Sequence, residues 1–102
     1  MLRKLYFEKH QELICNMCEM NTKEKYPWSN NLLEIHHVLP LSSALALTSK
    51  GTSLQDVVPL CPTCHRGVHS YYRGWLNANE VNDFRDKTEA FAIYGEAKRL
   101  VV

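Results

Sequence analysis

The sequence predicts a small α+β domain in which a hairpin of two short strands runs into a helix, a four-cysteine zinc site holds the scaffold, and further helices flank it. Three observations carry that expectation. The stretch DVVPLCPTCHRGVH, residues 56–69, reads as an apolar strand from Val57 to Leu60 followed at once by a helix with proline in its first turn. Cys15-x-x-Cys18 and Cys61-x-x-Cys64 supply four thiolates, the full shell of a structural zinc. Four of the five histidines fall in pairs, His36 with His37 at the end of an apolar run and His65 with His69 on one helix face.

A chain of 102 residues with 45% hydrophobic and 23% charged residues is composed like one globular domain, small enough to gain from a metal staple. Its net charge of +1 gives no global preference for nucleic acid, so any phosphate-binding surface has to be a local patch. No apolar run approaches the roughly 18 residues of a membrane span, and the N-terminus carries no signal-peptide pattern, so no membrane partner is expected. Paired CxxC motifs without secretion features point to thiolate ligands in a reducing compartment, the cytoplasm.

Taken in order, residues 2–14 read as an amphipathic helix whose buried stripe is Leu2, Leu5, Tyr6, Leu13 and Ile14, with His10 on the solvated side. The first cysteine knuckle and a polar loop containing Pro27 follow. Leu32 to Val38 reads as the first strand, limited by Pro40. Successive side chains on an ideal strand face opposite ways, so His36 and His37 serve one site only if the strand ends or twists there. Residues 41–55 read as a loop over the site, with a helical turn near Ala44 to Leu47. The second strand returns antiparallel to the first, and the helix after it runs to about Arg73, with Gly74 as its stop. A last helix is expected from Lys87 to Leu100, opened by Asp86 and Glu89 as a capping box and buried along Phe91, Tyr94, Ala97 and Val101. The whole is expected to be a single domain, with a core over about 15–73 and a helical extension over 74–102.

The two sets of ligands ask for different chemistry. A redox dithiol needs one reactive CxxC, whereas these are two complementary halves of a zinc site. Zinc saturated by thiolates has no open position and pins the scaffold instead of reacting. For the histidines the bland alternative is a strand end and a wet helix face. Two pairs on adjacent elements favour a second metal site. Three imidazoles suit zinc, nickel, cobalt or manganese better than bare magnesium or calcium, and a fourth left unligated can act as a general base.

The segments LEIHHVLPLS and SLQDVVPLCPTCHRGVH closely resemble the HNH endonucleases, the ββα-metal or His-Me finger nucleases, in the four-cysteine subset that includes the cutting domains of McrA-type restriction enzymes. The resemblance covers about Cys15 to His69 and includes the nine-residue spacing from Asp56 to His65. It implies hydrolysis of DNA phosphodiester bonds with a catalytic Mg²⁺, Mn²⁺, Ni²⁺, Co²⁺ or Zn²⁺, leaving 5′-phosphate and 3′-hydroxyl ends. By position, His37 resembles the general base, His36 and His65 the metal ligands, and His69 a third ligand. Asp56 stands where the family usually has asparagine, a residue that braces the loop; an ionised carboxylate can brace only by accepting hydrogen bonds. The catalytic set so implied is His37, Asp56 and His65. Arg66 is the first candidate for a phosphate contact, with Lys50 and Arg73 behind it, while Tyr71, Tyr72 and Trp75 read as packing residues. The resemblance also implies a DNA-reading domain in a longer parent protein or a free-standing nuclease of a phage or mobile element, and a homodimer would pair two cuts into a double-strand break. The alternative is a zinc-knuckle module that binds nucleic acid without cutting it.

Overall fold

The computed structural model describes Phe7, residues 13–39 and residues 56–102. Its elements are α1 (Thr22–Lys25), β1 (Glu34–His37), β2 (Val57–Leu60), α2 (Pro62–Ala78) and α3 (Lys87–Arg99). The strands pair antiparallel in a two-stranded sheet, with His36 opposite Val58 and His37 opposite Val57. Val38 N–H donates to the Asp56 carbonyl at 3.1 Å, carrying the pairing one step past the ladder and closing the loop at its base. The α+β class and the hairpin-then-helix order agree with the sequence expectation.

Several boundaries differ from expectation for identifiable reasons. The first strand begins at Glu34, not Leu32, because the Asn31 side chain takes the Leu33 amide at 3.0 Å in a local turn. Within the region expected as an N-terminal helix, Phe7 is helical, but Ile14 forms an isolated bridge with Asn21. Leu13 and Ile14 therefore serve the cysteine turn and not a helix end. The short α1 falls in what read as a polar loop; Asn21 Oδ1 caps it by accepting from the amides of Lys23 and Glu24, each at 3.0 Å.

Helix α2 runs on through Gly74 to Ala78. Glycine in a helix interior costs only about 1 kcal/mol, and beyond it Trp75 and Leu76 pack on the core, which favours continuing. The stop comes at Asn79 and Glu80, where Glu80 takes a left-handed φ of 54° and Val81 N–H closes back on the Leu76 carbonyl. In α3 the Asp86 side chain accepts from the Glu89 amide at 2.8 Å, as the capping pattern predicts, while Glu89 reaches back to the Arg85 amide. The buried stripe keeps Tyr94 and Ala97 of the expected set and loses its two ends. Ala90, Ile93, Tyr94 and Ala97 are buried, whereas Phe91 and Val101 are exposed. The core joins Leu33, Val38, Leu60, Val68, Tyr72 and Phe84 to that stripe, so α3 seals the hairpin and α2 from one side. The loop expected over 41–55 lies outside the described residues.

Candidate metal centre

Two clusters of ligating side chains stand out among the described residues, one of sulfur and one of nitrogen. In the first, the Sγ atoms of Cys15, Cys18, Cys61 and Cys64 lie within 4.8 Å of one another. The first knuckle is shaped by Cys15 N–H donating to the Met20 carbonyl and by Glu19 in a left-handed turn, and Asn16 N–H donates to the Pro59 carbonyl at 2.8 Å, tying the turn to β2. Cys61 caps α2, its Sγ facing the Cys64 amide at 3.5 Å. Cys18 and Cys61 are separated by 3.9 Å between sulfurs, far beyond a disulfide. Four thiolates about 2.3 Å from a zinc have edges of roughly 3.8 Å, so that spacing fits the ion.

The electrostatics agree. Burial pushes the Cys15 thiol up, but hydrogen bonds from the backbone at Cys18, Cys61 and Met17 outweigh it and bring the group below its ordinary value. Burial raises the Cys61 and Cys64 thiols, and in Cys64 the three neighbouring sulfurs raise it further. A cluster that holds one thiolate easily and resists more calls for a cation. The four cysteines can therefore hold a zinc.

The second cluster joins β1 to α2. One ring nitrogen each from His36, His65 and His69 lies within 4.8 Å of the others. The ring of His36 stands 5.2 Å from that of His65 and 5.1 Å from that of His69, both edge-on. The helical spacing brings His65 and His69 together at 5.1 Å, and strand pairing delivers His36 from below. His36 is fully buried, and its Nδ1 has no hydrogen-bond partner among the described residues. Burial, then the positive charge of protonated His69, His65 and His37, pushes its pKa down to about 3, so the ring is neutral at ordinary pH. An orphaned lone pair, buried beside two more imidazoles, fits a divalent cation.

Partners surround these rings. Nε2 of His36 lies 3.1 Å from the Tyr72 hydroxyl, which donates to the Val38 carbonyl at 3.1 Å. Tyr94 stacks on the His36 ring at 5.7 Å. His65 Nδ1 meets a carboxylate oxygen of Glu34 at 2.9 Å, an arrangement that leaves Nε2 as the nitrogen this ring can offer a cation. His69 is lowered by burial, then by His65 and Arg73. An open pocket of about 460 Å³ is lined by His65, Arg66, His69 and Arg73, so both arginines border the imidazole cluster.

His37 is half-buried and stands apart from the three-imidazole group, as strand alternation requires. It is close enough to feel both neighbours: burial and His65 lower its pKa, and Asp56 partly restores it. Asp56 takes an ion pair from Lys87 Nζ at 3.2 Å. Lys50 lies outside the described residues. Tyr72 is buried in the core, with Tyr71 and Trp75 packed against it, in keeping with the packing reading of these aromatics.

Four supporting residues escaped the sequence reading. Glu34 was accessible, since it stands two places before His36 on the same strand face; Tyr72 was too, three places after His69 on one helix face. Tyr94 was expected in the core but not against a site imidazole. Lys87 gave no signal, because its contact with Asp56 depends on how α3 folds back.

A hairpin and helix that gather three imidazoles beside a separate four-thiol cluster define the ββα-metal class of nuclease. The chain belongs to the HNH endonuclease family, whose sequence profile matches residues 15–71. It is also similar to the Type IV methyl-directed restriction enzyme EcoKMcrA of Escherichia coli (strain K12), 38% identical over 66 residues. That match takes in 65% of this chain but 22% of the relative, so the chain spans about a fifth of that enzyme's length. No solved structure gives a significant match. No helix among the described residues is long and apolar enough to cross a membrane.

Proposed function

We propose that this nuclease domain is the cutting part of a restriction-type system that hydrolyses DNA phosphodiester bonds with a divalent cation held by His36, His65 and His69. The observation that carries the reading is the buried, unpartnered Nδ1 of His36 beside two further imidazoles. Such a cation supplies charge neutralisation at a non-bridging phosphate oxygen and at the leaving 3′ oxygen. His37 takes a proton from the attacking water; it is half-buried, and its lowered pKa keeps a lone pair available near neutrality. Asp56, anchored by Lys87, holds the base of the loop and offsets positive charge at His37. Arg66 and Arg73 border the imidazoles from α2 and contact the phosphates flanking the scissile bond.

Zinc in the cysteine cluster is structural in this reading. The domain is taken as one unit with its core over 15–73 and an extension over 74–102, and its setting as the cytoplasm. The greater length of the matched relative supports a further DNA-reading domain in a parent protein, and pairing of two copies would convert nicks into double-strand breaks. The test is supercoiled plasmid incubated with zinc-loaded chain and Mg²⁺, Mn²⁺, Ni²⁺ or Co²⁺. Nicking is expected with the wild type and a loss of about 10²–10⁴-fold with His37→Ala. Absence of nicking in every metal would favour a module that binds without cutting.

A further inference from the structure

The Tyr72 hydroxyl sits between two partners, the Val38 carbonyl and Nε2 of His36, each at 3.1 Å. A carbonyl can only accept, so the single hydroxyl proton is spent on Val38. The phenol oxygen then has lone pairs left for His36, and Nε2 has to be the nitrogen that carries a proton. The opposite assignment would place an N–H at Nδ1, which is buried and has no acceptor among the described residues. A buried donor without an acceptor is unfavourable, so the network selects one tautomer. Stacking of Tyr94 on the ring limits any rotation that would exchange the two nitrogens. Tyr72 lies just beyond the residues matched by the family profile.

We propose that Tyr72 is a positioning residue that fixes His36 as its Nε2–H tautomer, so that the bare Nδ1 is the atom this histidine offers to a divalent cation. The proposal rests on the reading of His36, His65 and His69 as a metal site. It assigns the two best-supported ligands different nitrogens: Nδ1 from His36 under Tyr72, and Nε2 from His65, whose Nδ1 is held by Glu34.

The test is long-range ¹H–¹⁵N correlation of the histidine rings in chain loaded with one zinc per molecule, followed by Ni²⁺ titration of the same sample. The expected spectrum has a protonated Nε2 and a bare Nδ1 at His36. In Tyr72→Phe that signature is expected to become mixed or reversed, and the Ni²⁺ dissociation constant to rise by about 10–100-fold. Val68→Ala, which loosens the buried face of the same helix and removes no hydrogen bond to His36, is expected to leave both readouts in place. A protonated Nδ1 in the wild type would overturn the proposal, and so would equal loss of Ni²⁺ affinity in Val68→Ala and Tyr72→Phe. Failure of the wild type to bind Ni²⁺ at the histidines, with the Nε2–H tautomer intact, would instead overturn the metal reading and leave the tautomer assignment standing. Should Tyr72→Phe fail to fold, the wild-type spectrum alone decides the tautomer.

Discussion

Cys61 caps α2 and Cys64 stands in its first turn, and His65 and His69 follow within little more than another turn, yet the two sets of ligands differ in number and exposure. The sulfur cluster draws on both knuckles, lies partly buried against the core, and offers four donors, enough to saturate a tetrahedral ion. The imidazole cluster brings three nitrogens and opens on a pocket bordered by two arginines. One helix thus carries a closed site and an open one side by side. Their proximity means that whatever holds the start of α2 in place also sets where His65 stands relative to His36. In the proposed reading, ligand number more than ligand type separates scaffold from chemistry: four donors would complete a shell, and three would leave room for a phosphate oxygen.

The strongest way to break that comparison is to open the closed site. Cys61→Ser removes both a thiolate and the cap of α2, and structural zinc in small domains carries about 10–16 kcal/mol of apparent binding energy. Loss of cooperative unfolding in circular dichroism is expected, and prolonged chelation of the wild type should reproduce it. A weaker blow falls on the open site. Glu34→Gln replaces the carboxylate on His65 Nδ1, and a drop of about 10–100-fold in Ni²⁺ affinity is expected by calorimetry, with the zinc site and the fold retained.

The pH profile sharpens the contrast further. Burial and His65 lower the pKa of His37, so its neutral form survives as pH falls below the ordinary imidazole value of about 6.5. The acid limb of kcat/KM should therefore lie below pH 6.5, and Asp56→Asn, which removes the charge that raises His37, should move it lower still. A limb above 6.5 would remove His37 as the base. The smallest effect is expected at Lys87→Met. The partly exposed pair with Asp56 is worth about 0.2–1 kcal/mol, to be read as a small loss in urea-unfolding stability.

Much of this arrangement was legible in the sequence because it is written in local spacing. CxxC pairs, an i,i+4 histidine pair and an apolar tetrapeptide before a proline-led helix each state their own geometry, and the hairpin order followed from them. The capping of α3 by Asp86 was visible for the same reason. What stayed hidden depends on tertiary choice. Gly74 reads as a stop, but Trp75 and Leu76 find the core and extend the helix past it. In α3, Tyr94 and Ala97 are buried as their spacing predicts, but Phe91 and Val101 are apolar yet exposed, and Ala90 and Ile93 take the remaining buried places. No periodicity could announce that Lys87 would reach Asp56, since that contact is set by how α3 returns to the hairpin.

In the proposed reading two ions per chain occupy chemically separate places, one for the scaffold and one for the reaction. Counting bound metal in zinc-saturated protein after titration with Ni²⁺, for the wild type and for His36→Ala, tests it directly. The expected count is one tightly held zinc and one nickel in the wild type, falling to the zinc alone in His36→Ala with the fold unchanged. One nickel retained in His36→Ala, or none in the wild type, would contradict it.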